Sequence, residues 1–265
     1  MSNDRIKAKF NAIAAEGRPG LIVYLTTGFP DVEATLELVP ALAEAGADAI
    51  EVSIPFSDPL ADGPVIQESS FRALEKGVTP EDCLKAFAQV RDQVPDTPLI
   101  LMTYYNPVFT YGLDRFAGRL EECGIDGVIP VDLPAEEAGP LYESCAPRNV
   151  HIVPLLAPTS TDESIRTAAG IGSGFIYCVS VTGITGERDQ VSDRGFDLLK
   201  RVRACTDLPL TVGFGISRRE HVVAVCREAQ AAVVGSALIR TMLESPRDEL
   251  VERASNFVAE LAGRN

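Results

Sequence analysis

The chain is predicted to fold as an α/β protein, a single (β/α)8 barrel over residues 1–265 with extra terminal helices. Three observations predict it. Eight short apolar, β-rich runs are spread along 265 residues. Helix-period segments alternate with them, the order expected of a parallel sheet covered by helices. No low-complexity linker or shift in composition marks a domain boundary, and eight strands at this length suit a closed barrel better than an open doubly wound sheet.

In chain order the runs are LIVYLTT (21–27), AIEVSI (49–54), PLILMTYY (98–105), GVIPVDL (127–133), VHIVPLL (150–156), GFIYCVSV (174–181), PLTVGFGI (209–216) and AAVVGSAL (231–238). Between them, VEATLELVPALAEAGA (32–47) and LDRFAGRLEECGI (113–125) repeat apolar positions at three and four, and Gly124 ends the second. Four helix-to-strand joints share a pattern: EAGADAIEV (44–52), ECGIDGVIP (122–130), AAGIGSGFIYC (168–178) and EAQAAVVG (228–235). In the first three a glycine stands where a C-cap would end the helix. Such quasi-repetition fits a cyclic series of βα units. Ile6, Phe10 and Ile13 share a helical face near the start, as do Leu250, Ala254, Phe257 and Leu261 near the end. These are read as helices packing on the barrel, without chemistry.

A composition of 46% hydrophobic and 6% aromatic residues, with no tryptophan, is that of a soluble globular protein with an aliphatic core. The net charge of −14 disfavours nucleic acid and anionic membranes as partners. An anionic small substrate remains compatible, because backbone N–H groups can bind one locally. Six cysteines without a CxxC and only two histidines give no metal-ligand spacing, so no metal is expected. The cysteines are read as small buried hydrophobes in a reducing compartment. The first twenty residues lack a signal-peptide apolar core and no segment is long enough to cross a bilayer, so a cytoplasmic protein is expected.

In such a barrel the chemistry sits at the C-terminal strand ends and the loops after them. Glu51 interrupts the second apolar run, and Asp58 and Asp62 follow in a Pro/Gly-punctuated loop. A carboxylate in an apolar strand is costly to desolvate. No basic residue lies between positions 37 and 71, so a structural ion pair would need a distant partner. For both aspartates ordinary turn chemistry is the competing reading. Glycine-rich segments follow the last three runs: VTGITGERD (181–189), VGFGIS (212–217) and VGSALI (234–239). Glycines let backbone N–H groups approach an anion, and a helix start adds its positive dipole end, so a phosphorylated ligand is expected. Ser236 serves there as an N-cap or as a phosphate ligand. Tyr104, Tyr105 and Asn106 at the end of the third run and Asp132 at the end of the fourth occupy pocket-wall positions. Tyr177 is either a core aromatic or a pocket residue. His151 and His221 are assigned no chemistry.

The stretch IEVSIPFSDPLADGP (50–64) resembles the signature segment of the tryptophan synthase α subunit family. LTTGFP (25–30), TYYNP (103–107), TGITG (182–186), GFGIS (213–217) and GSAL (235–238) extend the resemblance over almost the whole chain. It implies a (β/α)8 barrel that cleaves indole-3-glycerol phosphate to indole and glyceraldehyde 3-phosphate with no metal or organic cofactor. It implies that Glu51 and Asp62 are the catalytic acid–base pair and that Tyr177 lies near the substrate. It places Tyr24, Tyr104 and Ile129 on the indole pocket, and Thr185 in the loop after strand six that closes over substrate in that family. Gly186, Gly215, Gly235 and Ser236 match its phosphate-binding positions. Pro55, Asp58 and Pro59 would face a β subunit, a pyridoxal-phosphate enzyme that receives indole, in an α2β2 heterotetramer; pyridoxal phosphate would belong to that partner. Ser53 and Ser70 depart from the pattern, where a glycine and an asparagine are common. Two other functions stay open: a stand-alone indole-3-glycerol phosphate lyase, and a non-catalytic sugar-phosphate-binding barrel that activates a partner.

Overall fold

A computed structural model describes residues 4–179, 193–213 and 215–264. Among them are nine strand segments: β1 (Gly20–Thr26), β2 (Ala49–Ser53), β3 (Leu99–Thr103), β4 (Gly127–Pro130), β5 (His151–Ile152), β6 (Leu155–Leu156), β7 (Ile176–Val179), β8 (Leu210–Gly213) and β9 (Ala231–Val234). The helices are α1 (Arg5–Glu16), α2 (Val32–Ala45), α3 (Pro64–Glu75), α4 (Pro80–Arg91), α5 (Tyr105–Tyr111), α6 (Leu113–Glu122), α7 (Gly139–Cys145), α8 (Asp162–Ile171), α9 (Asp193–Arg203), α10 (Arg219–Val225), α11 (Ser236–Leu243) and α12 (Leu250–Ala262).

The sheet is parallel, in the order β5-β4-β3-β2-β1-β9-β8-β7-β6. Its two ends, β5 and β6, belong to the single run VHIVPLL, so the ring closes through that run. Val153 N–H donates to Val128 O at 2.9 Å on one side, and Pro154 O accepts from Tyr177 N–H at 3.0 Å on the other. Pro154 has no N–H to give to the ladder, which is why the fifth predicted strand appears as two pieces. The other seven runs each supply one strand. Most strands are shorter than the predicted runs, and at two of them a helix takes over the end: Tyr105 and Asn106 open α5 instead of ending β3, and Ser236–Leu238 begins α11.

Side chains alternate along each strand, so one set points into the barrel and the next toward the helices. Ile22, Ala49, Ile100, Ile129, Val153, Phe175, Ala231 and Val233 form the inner core. Ile6, Phe10 and Ile13 of α1 pack into it, plugging the N-terminal end of the barrel. On α12 the buried positions are Leu250, Ala254, Val258 and Leu261, with Phe257 only half-buried.

The four repeated joints turn out to be one device used four times. Asp48, Asp126, Ser173 and Gln230 each precede a strand, and each donates its N–H to the carbonyl of a residue in the preceding strand: Leu21, Leu99, Ile152 and Leu210. Their side chains return the bond, accepting the N–H of that same residue at 2.7–3.2 Å. Arginines complete three of the clamps: Arg18 on Asp48, Arg5 and Arg91 on Asp126, and Arg203 on Gln230. Of the predicted glycine caps, Gly46 and Gly124 are left-handed at φ +117° and +69°, whereas Gly172 ends α8 at φ −64° without that geometry. With the clamps and α1 closing one end, the open end is the one toward which β2 and β3 run.

Candidate active site

Alternation from Ala49 puts Glu51 on the inner face of the barrel, with Tyr24 of β1 and Ile100 of β3 as its neighbours in register. Glu51 is 1% exposed and its Oε1 makes no hydrogen bond. No arginine or lysine pairs with it among the described residues. Burial alone raises its carboxyl from about 4.5 to about 8. A glutamic acid of this kind is neutral at neutral pH and can give up a proton there.

Asp62 ends the loop after β2 and is half-buried. Its Oδ2 accepts the Tyr104 hydroxyl at 3.2 Å, and that hydroxyl accepts Ala61 N–H at 2.9 Å. Gln67 donates to the Asp62 carbonyl at 2.8 Å, and Phe56 stacks on Tyr104 with ring centroids 5.0 Å apart. The loop is therefore pinned to the end of β3 by one phenol. Burial raises the Asp62 carboxyl to about 6, against the Tyr104 hydrogen bond, which lowers it. Asp62 is a turn residue in geometry and a tuned carboxylate in chemistry. Tyr24, Ser53, Ile54, Phe56, Ser70, Met102, Thr103 and Tyr104 surround it in a small pocket at the strand ends.

Tyr24 and Tyr177 complete the ring around Glu51. Both are held neutral chiefly by burial, with the charges of Asp62 and Glu51 adding to the effect. Tyr177 is half-buried and packs against the inner core, and its position depends on Gly213. A Cβ on Gly213 would lie 2.0 Å from the Tyr177 hydroxyl, so only glycine lets the phenol lie across β8. Gly213 was not singled out from the sequence; a glycine inside a strand was the available signal. Ile129 is in the inner core, fully buried, flanked by Met102 and Val131.

At the far side of the opening, Gly215 has φ +74°, and α11 begins immediately after β9. The N-cap position is Gly235, with no side-chain cap, so Ser236 is the first helical residue and not the cap. Its hydroxyl and the first-turn N–H groups are left for an anion. Thr185 and Gly186 lie outside the described residues.

Of the remaining candidates, Asp132 is exposed and accepts Tyr105 N–H at 2.6 Å, capping α5 instead of lining the pocket. His151 meets Asp4 at the plugged end, 3.2 Å away. His221 sits buried on α10. Cys83, Cys123, Cys145 and Cys178 are buried as expected, but Cys226 is half-buried and Cys205 exposed. Around the Asp62 loop, Asp58 is exposed, Pro59 half-buried and Pro55 buried. Ser70 is 4% exposed, and it is its neighbour Phe71 that faces solvent.

A parallel barrel whose open end holds a buried glutamic acid raised to about 8, an aspartate raised to about 6 and a glycine-flanked helix start has the features of an enzyme acting on a small phosphorylated substrate. The family model described as "Tryptophan synthase alpha chain" matches residues 10–263. The tryptophan synthase alpha chain of Chloroflexus aggregans is 47% identical over 258 residues, covering 97% of each chain. The crystal structure of the Legionella pneumophila tryptophan synthase alpha chain superposes with a TM-score of 0.89 at 32% identity, covering 99% of this chain and 97% of that one. A chain of the Pyrococcus furiosus tryptophan synthase complex superposes with a TM-score of 0.85 at 39% identity, covering 92% and 98%. The chain belongs to the tryptophan synthase alpha chain family. It is a carbon–carbon lyase of indole-3-glycerol phosphate, releasing indole and glyceraldehyde 3-phosphate.

Proposed function

We propose that Glu51 and Asp62 carry this cleavage as acid and electrostatic partner. The observation that carries the assignment is Glu51 itself, buried without a cationic partner among the described residues and raised to about 8. Breaking the bond between indole C3 and the glycerol chain requires a proton on C3, so that the ring can leave as neutral indole. Glu51 delivers that proton as a neutral acid. Asp62, ionised above about 6, accepts the indole N–H and stabilises the positive charge that C3 protonation creates. The Glu51 carboxylate so formed takes the proton of the adjacent glycerol hydroxyl. The C–C electron pair then returns to the ring, indole leaves, the aldehyde forms, and Glu51 ends protonated.

Tyr24, Tyr104, Ile129 and Tyr177 wall the indole, and Thr185 helps orient Asp62. Gly186, Gly215, Gly235 and Ser236 hold the phosphate, supported by the uncapped start of α11. The chain works as one domain over residues 1–265, in the cytoplasm, without a metal or organic cofactor of its own. Its partner is a pyridoxal-phosphate β subunit in an α2β2 assembly, met at Pro55, Asp58 and Pro59. Exposed Leu60, Phe71 and Phe109 support that surface, being 93%, 62% and 66% exposed.

Supplying indole-3-glycerol phosphate to the purified chain, with and without a β subunit, tests the reading. Indole is expected in both cases, faster with the partner, and Glu51→Gln is expected to lower kcat by about 10²-fold or more. Retained turnover in Glu51→Gln removes the assigned role. Full turnover without any partner favours a stand-alone lyase, and none under either condition favours a non-catalytic barrel.

A further inference from the structure

Tyr24, Thr26, Glu51 and Ser53 form two facing pairs on the inner side of β1 and β2, Tyr24 opposite Glu51 and Thr26 opposite Ser53. Their hydroxyls are joined. Tyr24 Oη lies 2.9 Å from Ser53 Oγ and 3.2 Å from Thr26 Oγ1. Thr26 Oγ1 lies 2.6 Å from Ser69 Oγ in α3, and Ser69 donates to the Ile66 carbonyl at 2.8 Å. All four hydroxyl-bearing residues are buried, none more than 5% exposed.

A hydroxyl has one proton and donates once. The Ile66 carbonyl can only accept, so the Ser69 proton is committed to it. Thr26 must then donate to Ser69, Tyr24 to Thr26, and Ser53 to Tyr24. One carbonyl therefore sets the direction of the whole chain, which starts at Ser53 in β2, crosses β1 and ends in α3. That helix is the one that follows the Asp62 loop, and Ser53 and Asp62 line the same small pocket. The Tyr24 phenol has no proton left for a ligand, so Tyr24 contributes shape and its hydroxyl contributes orientation.

We propose that Ser53, Thr26 and Ser69 are positioning residues for this lyase: their one-way hydroxyl chain holds the Tyr24 ring as a fixed wall of the indole pocket beside Glu51 and ties that wall to the helix behind Asp62. The proposal rests on the assignment of the pocket given above. A wall held in place before substrate arrives favours binding, because its ordering has no further cost at that moment. Removing the Ser53 hydroxyl or the Tyr24 hydroxyl breaks the same Ser53–Tyr24 link and loosens the same ring, so the two changes are coupled.

The experiment compares Ser53→Ala, Tyr24→Phe, the double variant and Ser53→Thr in the full chain with its β subunit. Each single change is expected to raise KM for indole-3-glycerol phosphate about three- to tenfold, more than it lowers kcat. The double variant is expected to be no worse than the more affected single one, and Ser53→Thr, which keeps a donor, to restore most of the loss. A second readout needs no turnover: the chain has no tryptophan, so the fluorescence of added indole reports its binding directly. The same pattern is expected in the indole Kd. An unchanged KM and Kd in Ser53→Ala, or effects of the two single changes that multiply as independent sites, overturn the proposal. So does a fall in Tm across the variants without the shift in KM against kcat. If wild-type chain binds indole but does not cleave indole-3-glycerol phosphate, the assigned chemistry fails while the binding cycle still decides this proposal; if it binds no indole, both fall.

Discussion

At the scale of single residues, the candidate site holds two carboxyl groups whose pKa values burial raises, Glu51 and Asp62. In the mechanism proposed above, Glu51, raised to about 8, must be protonated to act and Asp62, raised to about 6, must be ionised. The expected profile of kcat/KM against pH is a bell, with its acid limb near 6 from Asp62 and its alkaline limb near 8 from Glu51. Tyr104→Phe removes a hydrogen bond that favours the Asp62 anion, so its acid limb is expected at higher pH than in the wild type, with the alkaline limb unmoved. An acid limb left in place in that variant would separate it from Asp62. Glu51 also makes a stability prediction. Its folded-state pKa is raised, so between about 4.5 and 8 the folded chain holds a proton that the unfolded chain has lost, and stability falls with rising pH through that window. Glu51→Gln cannot ionise and escapes this loss. Its Tm relative to wild type is expected to climb as pH goes from 4.5 to 8 and then level off, by a free energy of the order of a few kcal/mol, while activity is lost. Thermal melts across pH in the two proteins measure it. Glu51 stood out in the sequence as a strand glutamate with no cation nearby, at the end where barrel chemistry belongs, whereas Asp62 was set apart from Asp58 only by the family resemblance, since both lie in ordinary turn sequence. The hydrogen bond that ties Asp62 to Tyr104 was not legible in the sequence, since it joins residues 42 positions apart through loop geometry.

Single elements bear different loads at the two ends of the barrel. At the open end, β8 needs Gly213 so that Tyr177 can cross it. Gly213→Ala places a methyl 2.0 Å from the phenol oxygen, and either the ring or the strand must move. The expected result is a folded chain with KM for substrate raised about tenfold or more, measurable by steady-state kinetics beside an unchanged circular-dichroism spectrum. At the plugged end, Asp126 accepts Leu99 N–H, Arg91 and Arg5 while 7% exposed. Asp126→Ala leaves Arg91 nearly buried with its carboxylate gone, a change expected to cost roughly 3 kcal/mol and to lower Tm by about 10 °C, with kcat at low temperature retained. A Tm within 2 °C of wild type, by the roughly 2–4 °C expected per kcal/mol, would show that the clamp is redundant. The repeats containing Asp48, Asp126, Ser173 and Gln230 were visible as text. What they do was not, because only the register of one strand against the next reveals a side chain and a backbone N–H of one residue gripping both polar groups of another. The split of the fifth strand had a visible cause in Pro154, but a proline in an apolar run does not say whether the strand ends or merely skips a bond.

For the molecule as a whole, the alternation of apolar and helical segments already specified a closed barrel, since that pattern is a property of the entire chain and survives errors at single boundaries. A surface for a partner is harder to read, because an exposed apolar residue looks like a core residue in sequence. Phe71 on α3 and Phe109 on α5 belong to helices whose other faces are buried, at Ser69, Ser70 and Ala73 and at Val108, yet their rings stand 62% and 66% in water. Neither ring contributes to the inner core or to the small pocket at Asp62. Burying them would release apolar surface from water without altering the pocket, which suits a docking face beside the loop that holds Asp62. Replacing both with serine is therefore expected to leave Tm within about 2 °C and the isolated chain's kcat within about twofold of wild type, because both rings stand mostly in water and the fold loses little beyond the contact of Phe109 with the Tyr105 ring. The same variant is expected to bind a β subunit at least about tenfold more weakly and to lose most of the rate increase that the partner supplies. Titrating the partner into each chain while following indole release measures both. Undiminished activation in the double variant would move the docking face away from α3 and α5, and a slower isolated chain would instead place these rings among the supports of the Asp62 loop.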